Sequence, residues 1–202
     1  MNYCPLNIYS GYTFLSSTLK VEDIFKICEK NNYPYFGLCD ELNMHAYGDI
    51  IALQNKYKVK PIYGATIKYL VNDEHPLLVC LYCTSEISYR NLIKIISLYP
   101  EGITSKEFTL LKKELIAIVP TISNNEIKTL LQDHDLVTLE KELSAFKDGF
   151  LSFYLGIEIY QENDLYLINL LREFARNNNY QTVAFNKEIK FTTIICNSNR
   201  IR

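Results

Sequence analysis

The chain is poor in histidine and glycine. It has three histidines and seven glycines in 202 residues, and no glycine-rich loop able to cradle a phosphate. A serine nucleophile on its own sharp elbow is missing as well. No apolar run reaches the roughly 18 residues that a membrane helix needs. The start, Met1-Asn2-Tyr3-Cys4-Pro5, lacks the basic and apolar regions of a signal peptide. Neither sign of charge dominates: 21 Lys and Arg against 23 Asp and Glu leave a net charge of −2, with no global pull toward nucleic acid or acidic membranes. Lys56, Lys58, Lys60 and Lys68 read as a solvated edge, because a DNA-binding face carries a denser basic stripe. Little direct DNA binding is expected.

No disulfide framework is expected either. Cys4, Cys28, Cys39, Cys80, Cys83 and Cys196 are scattered, mostly among apolar neighbours, as reduced thiols packed in a cytoplasmic protein would be. Cys80-Leu81-Tyr82-Cys83 has the spacing of a redox or zinc pair. No second pair follows and the run reads as a strand, so these are expected to be core or strand-edge thiols. His45, His75 and His134 fall at a helix start, a turn and a polar helix end, and are expected to be exposed rather than to bind metal.

What is present is an apolar fraction of 48%, enough for a sizeable core. Short β-rich runs alternate with amphipathic stretches. Strands are expected at Pro5–Tyr9, Tyr35–Cys39, Pro61–Leu70, Pro76–Cys83, Glu114–Val119, Phe150–Tyr160 and Gln181–Asn186. Helices are expected from Glu22 to about Asn31, over Met44–Tyr57, Tyr89–Leu98 and Asp164–Arg176, and through most of Asn124–Asp148. Ile50, Ile51, Leu53 and Tyr57 should face inward from the second helix, and Leu92, Ile93, Ile95 and Ile96 from the third. Asn72-Asp73-Glu74 reads as a turn. Such alternation implies parallel strands joined by helical crossovers, in a barrel or a doubly wound sheet. Periodicity leaves those two open. In both, sites gather at the carboxyl ends of the strands, here after Ile8, Cys39, Gly64, Val119, Glu158 and Ala184.

Three of those ends carry recognisable runs: Leu6-Asn7-Ile8-Tyr9-Ser10-Gly11-Tyr12-Thr13-Phe14-Leu15, then Leu38-Cys39-Asp40-Glu41-Leu42-Asn43, then Lys60-Pro61-Ile62-Tyr63-Gly64-Ala65-Thr66. In order and spacing they resemble the His-x-His-Ser-x-Tyr-Ser-Leu-Leu, Thr-Asp-His-Gly-Asn and Lys-Pro-Ile-x-Gly-x-Glu runs of PHP (polymerase and histidinol phosphatase) domains. Specifically, they resemble the PHP domains that open bacterial DNA polymerase III alpha subunits. Leu77-Leu78-Val79 through Tyr89-Arg90-Asn91-Leu92 resembles that family's next strand and its Gly-Tyr-x-Asn-Leu helix. Val183-Ala184-Phe185-Asn186-Lys187-Glu188-Ile189 resembles its Val-Ala-Thr-Asn-Asp-x-His. The resemblance spans nearly the whole chain.

It implies an α/β fold, a distorted PHP-type barrel of about seven mostly parallel strands with outer helices. A PHP domain over 1–190 would be followed, in 191–202, by the start of the connection to a polymerase body. Further coding sequence is then expected directly after Arg202, and the last six or so residues should not hold a helix by themselves. The parent would be a cytoplasmic DNA-directed DNA polymerase, a nucleotidyltransferase of DNA replication. The domain's partners would be the rest of the alpha subunit, and a proofreading exonuclease or other replisome proteins.

Active family members hold divalent metals with histidines and carboxylates, which activate water and clamp a phosphate ester. By the same resemblance, Asn7 and Tyr9 stand here for the first histidine pair, and Glu41 for the histidine after Asp40. Thr66 stands for a glutamate, and Lys187 and Ile189 for the final aspartate and histidine. Only Asp40 keeps the ligand type. The expectation is a degenerate metal site with no catalytic residue, metal or cofactor in this stretch. The alternative is a free-standing, metal-dependent PHP phosphoesterase of small phosphate esters.

Overall fold

A computed structural model describes residues 3–70 and 76–188. The expected turn at Asn72-Asp73-Glu74, together with His75, Ile189, Cys196 and the chain end from 189 onward, lies outside the described residues. In chain order the elements are β1 (Asn7–Ile8), α1 (Val21–Lys30), β2 (Tyr35–Leu38), α2 (Tyr47–Leu53), β3 (Lys60–Leu70) and β4 (Pro76–Cys83). Next come α3 (Glu86–Leu98), β5 (Ile103–Thr104), α4 (Ser105–Phe108), β6 (Leu115–Pro120), α5 (Asn125–Gln132) and α6 (Leu136–Lys147). β7 (Ser152–Ile157), α7 (Asp164–Asn177), β8 (Gln181–Ala184) and β9 (Lys187–Glu188) complete the described chain. Among the described residues, no helix is long and apolar enough to cross a membrane.

The chain divides into two compact units, residues 1–66 with 186–202, and residues 67–185. In the first, the strand order is β9-β1-β2-β3, and every pairing is parallel, with Asn7 beside Lys187, Ile8 beside Leu38 and Leu38 beside Tyr63. Helix α1 forms because Val21, Ile24, Phe25 and Cys28 fall on one stripe, all buried; Glu22 and Asp23 sit at its positive end. Phe25 meets Phe36 of β2 edge-on at 4.9 Å and stacks on Tyr57 at 5.2 Å. A Cβ at Gly37 would lie 2.4 Å from the Leu6 carbonyl oxygen, so only glycine lets the chain before β1 lie this close to β2. Helix α2 is shorter than its sequence pattern predicts. Its inward face reduces to Tyr47 and Ile50, and Ile51 is exposed.

In the second unit β4 runs antiparallel to β6, with Cys80 opposite Ile118, while β6, β7 and β8 are parallel. The sheet is therefore mixed but mostly parallel. The stretch 124–148, expected to be mostly helical, is so, as two helices. His134, at φ 56°, ends α5, and the Asp135 carboxylate then caps α6 by accepting from the Thr138 N–H at 3.1 Å. The short β5 and α4 were not foreseen; a capping box of Thr104 with Glu107 starts α4. On α3, Leu92 and Ile95 are buried and Ile93 is exposed. Phe108, Phe146, Phe150 and Phe153 form an aromatic cluster whose successive ring centres lie 5.1 to 6.3 Å apart.

Candidate functional site

The strand ends of the first unit bring together six of the seven positions singled out in the sequence. Asp40, just past β2, is 1% exposed. Its Oδ1 accepts the Ser10 N–H at 2.6 Å and the Thr13 hydroxyl at 2.7 Å, while Oδ2 accepts the Ser10 hydroxyl at 2.6 Å. Burial pushes its carboxyl above the usual range, against the pull of these hydrogen bonds and of His45. All of this serves to tie the loop after β1 to the end of β2.

Tyr9 and Thr66 occupy the next two positions, and both are buried. The Thr66 hydroxyl donates to the Cys39 carbonyl at 2.9 Å. Its one hydrogen is thereby used, so the Tyr9 hydroxyl is the donor in the 2.9 Å bond between them. Lys187, entering β9, places its ammonium 3.9 Å from the centre of the Tyr9 ring, a cation–π contact. Asn7 is buried beside it in register. Glu41 is half-buried, and its backbone forms an isolated parallel bridge with Thr66. Ile189, the seventh position, lies outside the described residues.

These groups are ill suited to a pair of divalent cations. The one carboxylate of the expected type has both oxygens taken by protein donors. The neighbouring positions offer a phenol and a hydroxyl bonded to each other, the single carboxylate of Glu41, and an ammonium, which repels a dication. Among the described residues, no group of three or more His, Cys, Asp and Glu side chains could hold a metal ion. The remaining candidates are peripheral. His45 is exposed, with its ring 6.3 Å from that of Tyr12. His134 is exposed and shares a 3.1 Å hydrogen bond with Tyr166. Cys80 is buried in β4, and Cys83, at its end, is half-buried.

A second carboxylate with the same habit was only a strand-end position in the sequence. Glu158, past β7 in the second unit, is 0% exposed. It accepts the Ser123 N–H at 2.8 Å, the Ser123 hydroxyl at 2.6 Å and the Tyr160 hydroxyl at 2.7 Å. Burial raises its pKa too, opposed by the same donors. In each unit, then, a serine past one strand clamps a carboxylate past the neighbouring parallel strand. Lys112 was also missed. It is buried, donates to the Phe146 and Asp148 carbonyls at 2.8 and 3.1 Å, and lies 5.1 to 5.5 Å from three phenylalanine ring centres. No sequence spacing marks either residue; the only hint is that Glu158 is an acid inside an apolar run.

Comparison with known proteins places this geometry in context. The family described as PHP domain matches residues 5–180. DNA polymerase III subunit alpha of Buchnera aphidicola subsp. Schizaphis graminum is 24% identical over 199 residues, covering 91% of this chain and 17% of that protein. The same subunit from Buchnera aphidicola subsp. Acyrthosiphon pisum is 28% identical over 174 residues, covering 84% of this chain and 14% of that protein. The chain thus spans less than a fifth of the length of these relatives. Two solved structures share its fold. An amidohydrolase from Chromobacterium violaceum, with bound sulfate and no metal, aligns with a TM-score of 0.57 at 8% identity, covering 92% of this chain and 87% of that one. A protein described as a metal-dependent phosphoesterase, from Bifidobacterium adolescentis, aligns with a TM-score of 0.59 at 7% identity, covering 93% of this chain and 87% of that one. The α/β fold expected from the motifs, a PHP-type distorted barrel, is the fold the chain has.

Proposed function

Because the chain belongs to the PHP domain family, we propose that it is a non-catalytic, metal-independent PHP domain of the DNA polymerase III alpha type, bracing a replicative polymerase. The observation that carries this reading is the filling of the ligand positions. Tyr9 bonds to Thr66, Lys187 lies on the Tyr9 ring, and Asp40 is spent on Ser10 and Thr13. A phosphoesterase of this family needs metal-bound hydroxide as its nucleophile at neutral pH, and these side chains are a poor ligand set for that. What they do instead is weld the ends of β1, β2, β3 and β9 together. Nucleotidyl transfer in DNA replication would then belong to the remainder of the alpha subunit, with a proofreading exonuclease as a further partner.

The test is direct. The purified chain, given Mn²⁺ or Zn²⁺, should hydrolyse p-nitrophenyl phosphate and degrade labelled single-stranded DNA only at background rates. Turnover that survives repurification and disappears in Asp40→Ala would overturn the proposal and favour a free-standing phosphoesterase. So would more than one tightly held Zn, Mn or Fe per chain.

A further inference from the structure

Lys56, Lys58 and Lys60 read from the sequence as a solvated edge, and the fold adds two residues to that edge. In the parallel pair β2 and β3, Tyr35 stands beside Lys60, so their side chains leave the same face of the sheet. Both are exposed, Tyr35 by 45%. The Lys60 N–H donates to the Pro34 carbonyl at 3.0 Å, and the Lys58 N–H to the Glu29 carboxylate at 3.0 Å. The second bond brings in Lys30, the exposed last residue of α1. The acids nearby are committed. Glu29 is held by the Lys58 N–H. Glu22 accepts from the Tyr57 hydroxyl at 3.1 Å, pairs with Lys26 at 3.5 Å and is drawn further down in pKa by Lys56. Asp23 lies 4.0 Å from Lys26. Among the described residues, the side chains of Lys30, Tyr35, Lys58 and Lys60 have no hydrogen bond, ion pair or ring contact.

We propose that this corner, at the amino ends of β2 and β3, is a contact site for single-stranded nucleic acid. A base stacks on the Tyr35 ring, and the phosphates beside it are neutralised by Lys58, Lys60 and Lys30. An open aromatic face among unpaired ammonium groups is the combination that holds a single strand, since stacking needs an unpaired base and tolerates any sequence. An acidic peptide would use the lysines and leave the ring idle. A lipid surface would call for apolar anchors, and Tyr35 ends in a hydroxyl. Three lysines neutralise about three phosphates, which sets a slope of log affinity on log salt near −2. The contact is therefore local and modest, as a chain with a net charge of −2 allows. It goes beyond the polymerase reading and does not depend on it.

The experiment measures binding of fluorescein-labelled oligo-dT to the purified 202-residue chain by anisotropy over a salt series. The wild type should bind at low salt with the slope just given. Tyr35→Ser should weaken binding at least fivefold and leave the slope unchanged, while Tyr35→Phe, which keeps the ring, should bind as the wild type does. Lys58→Ala/Lys60→Ala should weaken binding and flatten the slope by about 1.4. Lys94→Ala/Lys106→Ala, at exposed positions on α3 and α4, should change neither. All variants should keep the wild-type Tm. No binding by the wild type would overturn the proposal, as would a Tyr35→Ser variant of full affinity. The same holds if the Lys94 and Lys106 pair matters as much as Lys58 and Lys60, or if Tyr35→Ser lowers Tm by several degrees, because the ring would then serve the fold. Polyglutamate or phosphatidylserine vesicles bound as tightly as oligo-dT would reduce the corner to a general anion patch and sink the idea as well.

Discussion

Ser10 gives Asp40 two hydrogen bonds at once, its backbone N–H to Oδ1 and its hydroxyl to Oδ2, each at 2.6 Å. With Thr13 adding a third at 2.7 Å, the buried carboxylate is the acceptor around which the first strand-end loop is built. Asp40→Ala would leave three buried donors without an acceptor, at a cost of about 3 kcal/mol. Asp40→Asn keeps an acceptor for the Ser10 N–H and should cost about 1 kcal/mol. Denaturant unfolding without added metal checks both values. A neutral Asp40→Ala would mean that the clamp contributes nothing.

Stability should depend on pH in a direction set by burial. Asp40 and Glu158 both have carboxyls raised above the usual range by desolvation. Between that range and the raised value, the folded state binds more protons than the unfolded one. Their contribution is therefore fully present below the ordinary carboxylate pKa and lost as pH climbs through the raised value. As pH falls from neutral into the ordinary carboxylate range, the wild-type Tm should gain relative to Asp40→Asn and to Glu158→Gln. The opposite sign would show that the hydrogen bonds outweigh burial.

Removing metal should not matter. The Tyr9–Thr66 bond and the Lys187–Tyr9 contact hold the strand ends without a cation. EDTA is accordingly expected to leave Tm unchanged to within about a degree, because only a ligand bound by the folded state adds to its stability. A drop of several degrees would argue for a structural metal.

Lys112 gives a prediction in the second unit. Its ammonium donates to the Phe146 and Asp148 carbonyls at the end of α6, and burial lowers its pKa. Lys112→Met keeps the stem's packing but orphans both carbonyls, at about 2 kcal/mol. Lys112→Ala loses packing as well and should cost about 3 kcal/mol or more. Chemical denaturation should rank wild type above Met above Ala. Equal losses in the two variants would show that the stem's packing contributes nothing.

Much of the architecture was legible because it is local. The apolar face of Ile24, Phe25, Ile27 and Cys28 marks α1, and strand–helix alternation sets the fold class. The five motif runs, in register, indicated which strand ends to examine. What sequence pattern misjudged depends on neighbours it cannot see. Ile51 and Ile93 have the periodicity of core residues yet are exposed.

The residue types at the site positions were fixed by the sequence alone: a tyrosine, a threonine and a lysine where a divalent metal wants imidazole and carboxylate. Their use was decided only by the tertiary structure. Thr13 reaches Asp40 across 27 positions and Tyr9 reaches Thr66 across 57, and these pairs meet because β1, β2 and β3 lie side by side in parallel. A hydrogen bond is specified by ångströms and angles, which strand order supplies and one-dimensional spacing does not. The same holds for Tyr35 and Lys60, which only the parallel pairing of β2 and β3 sets side by side.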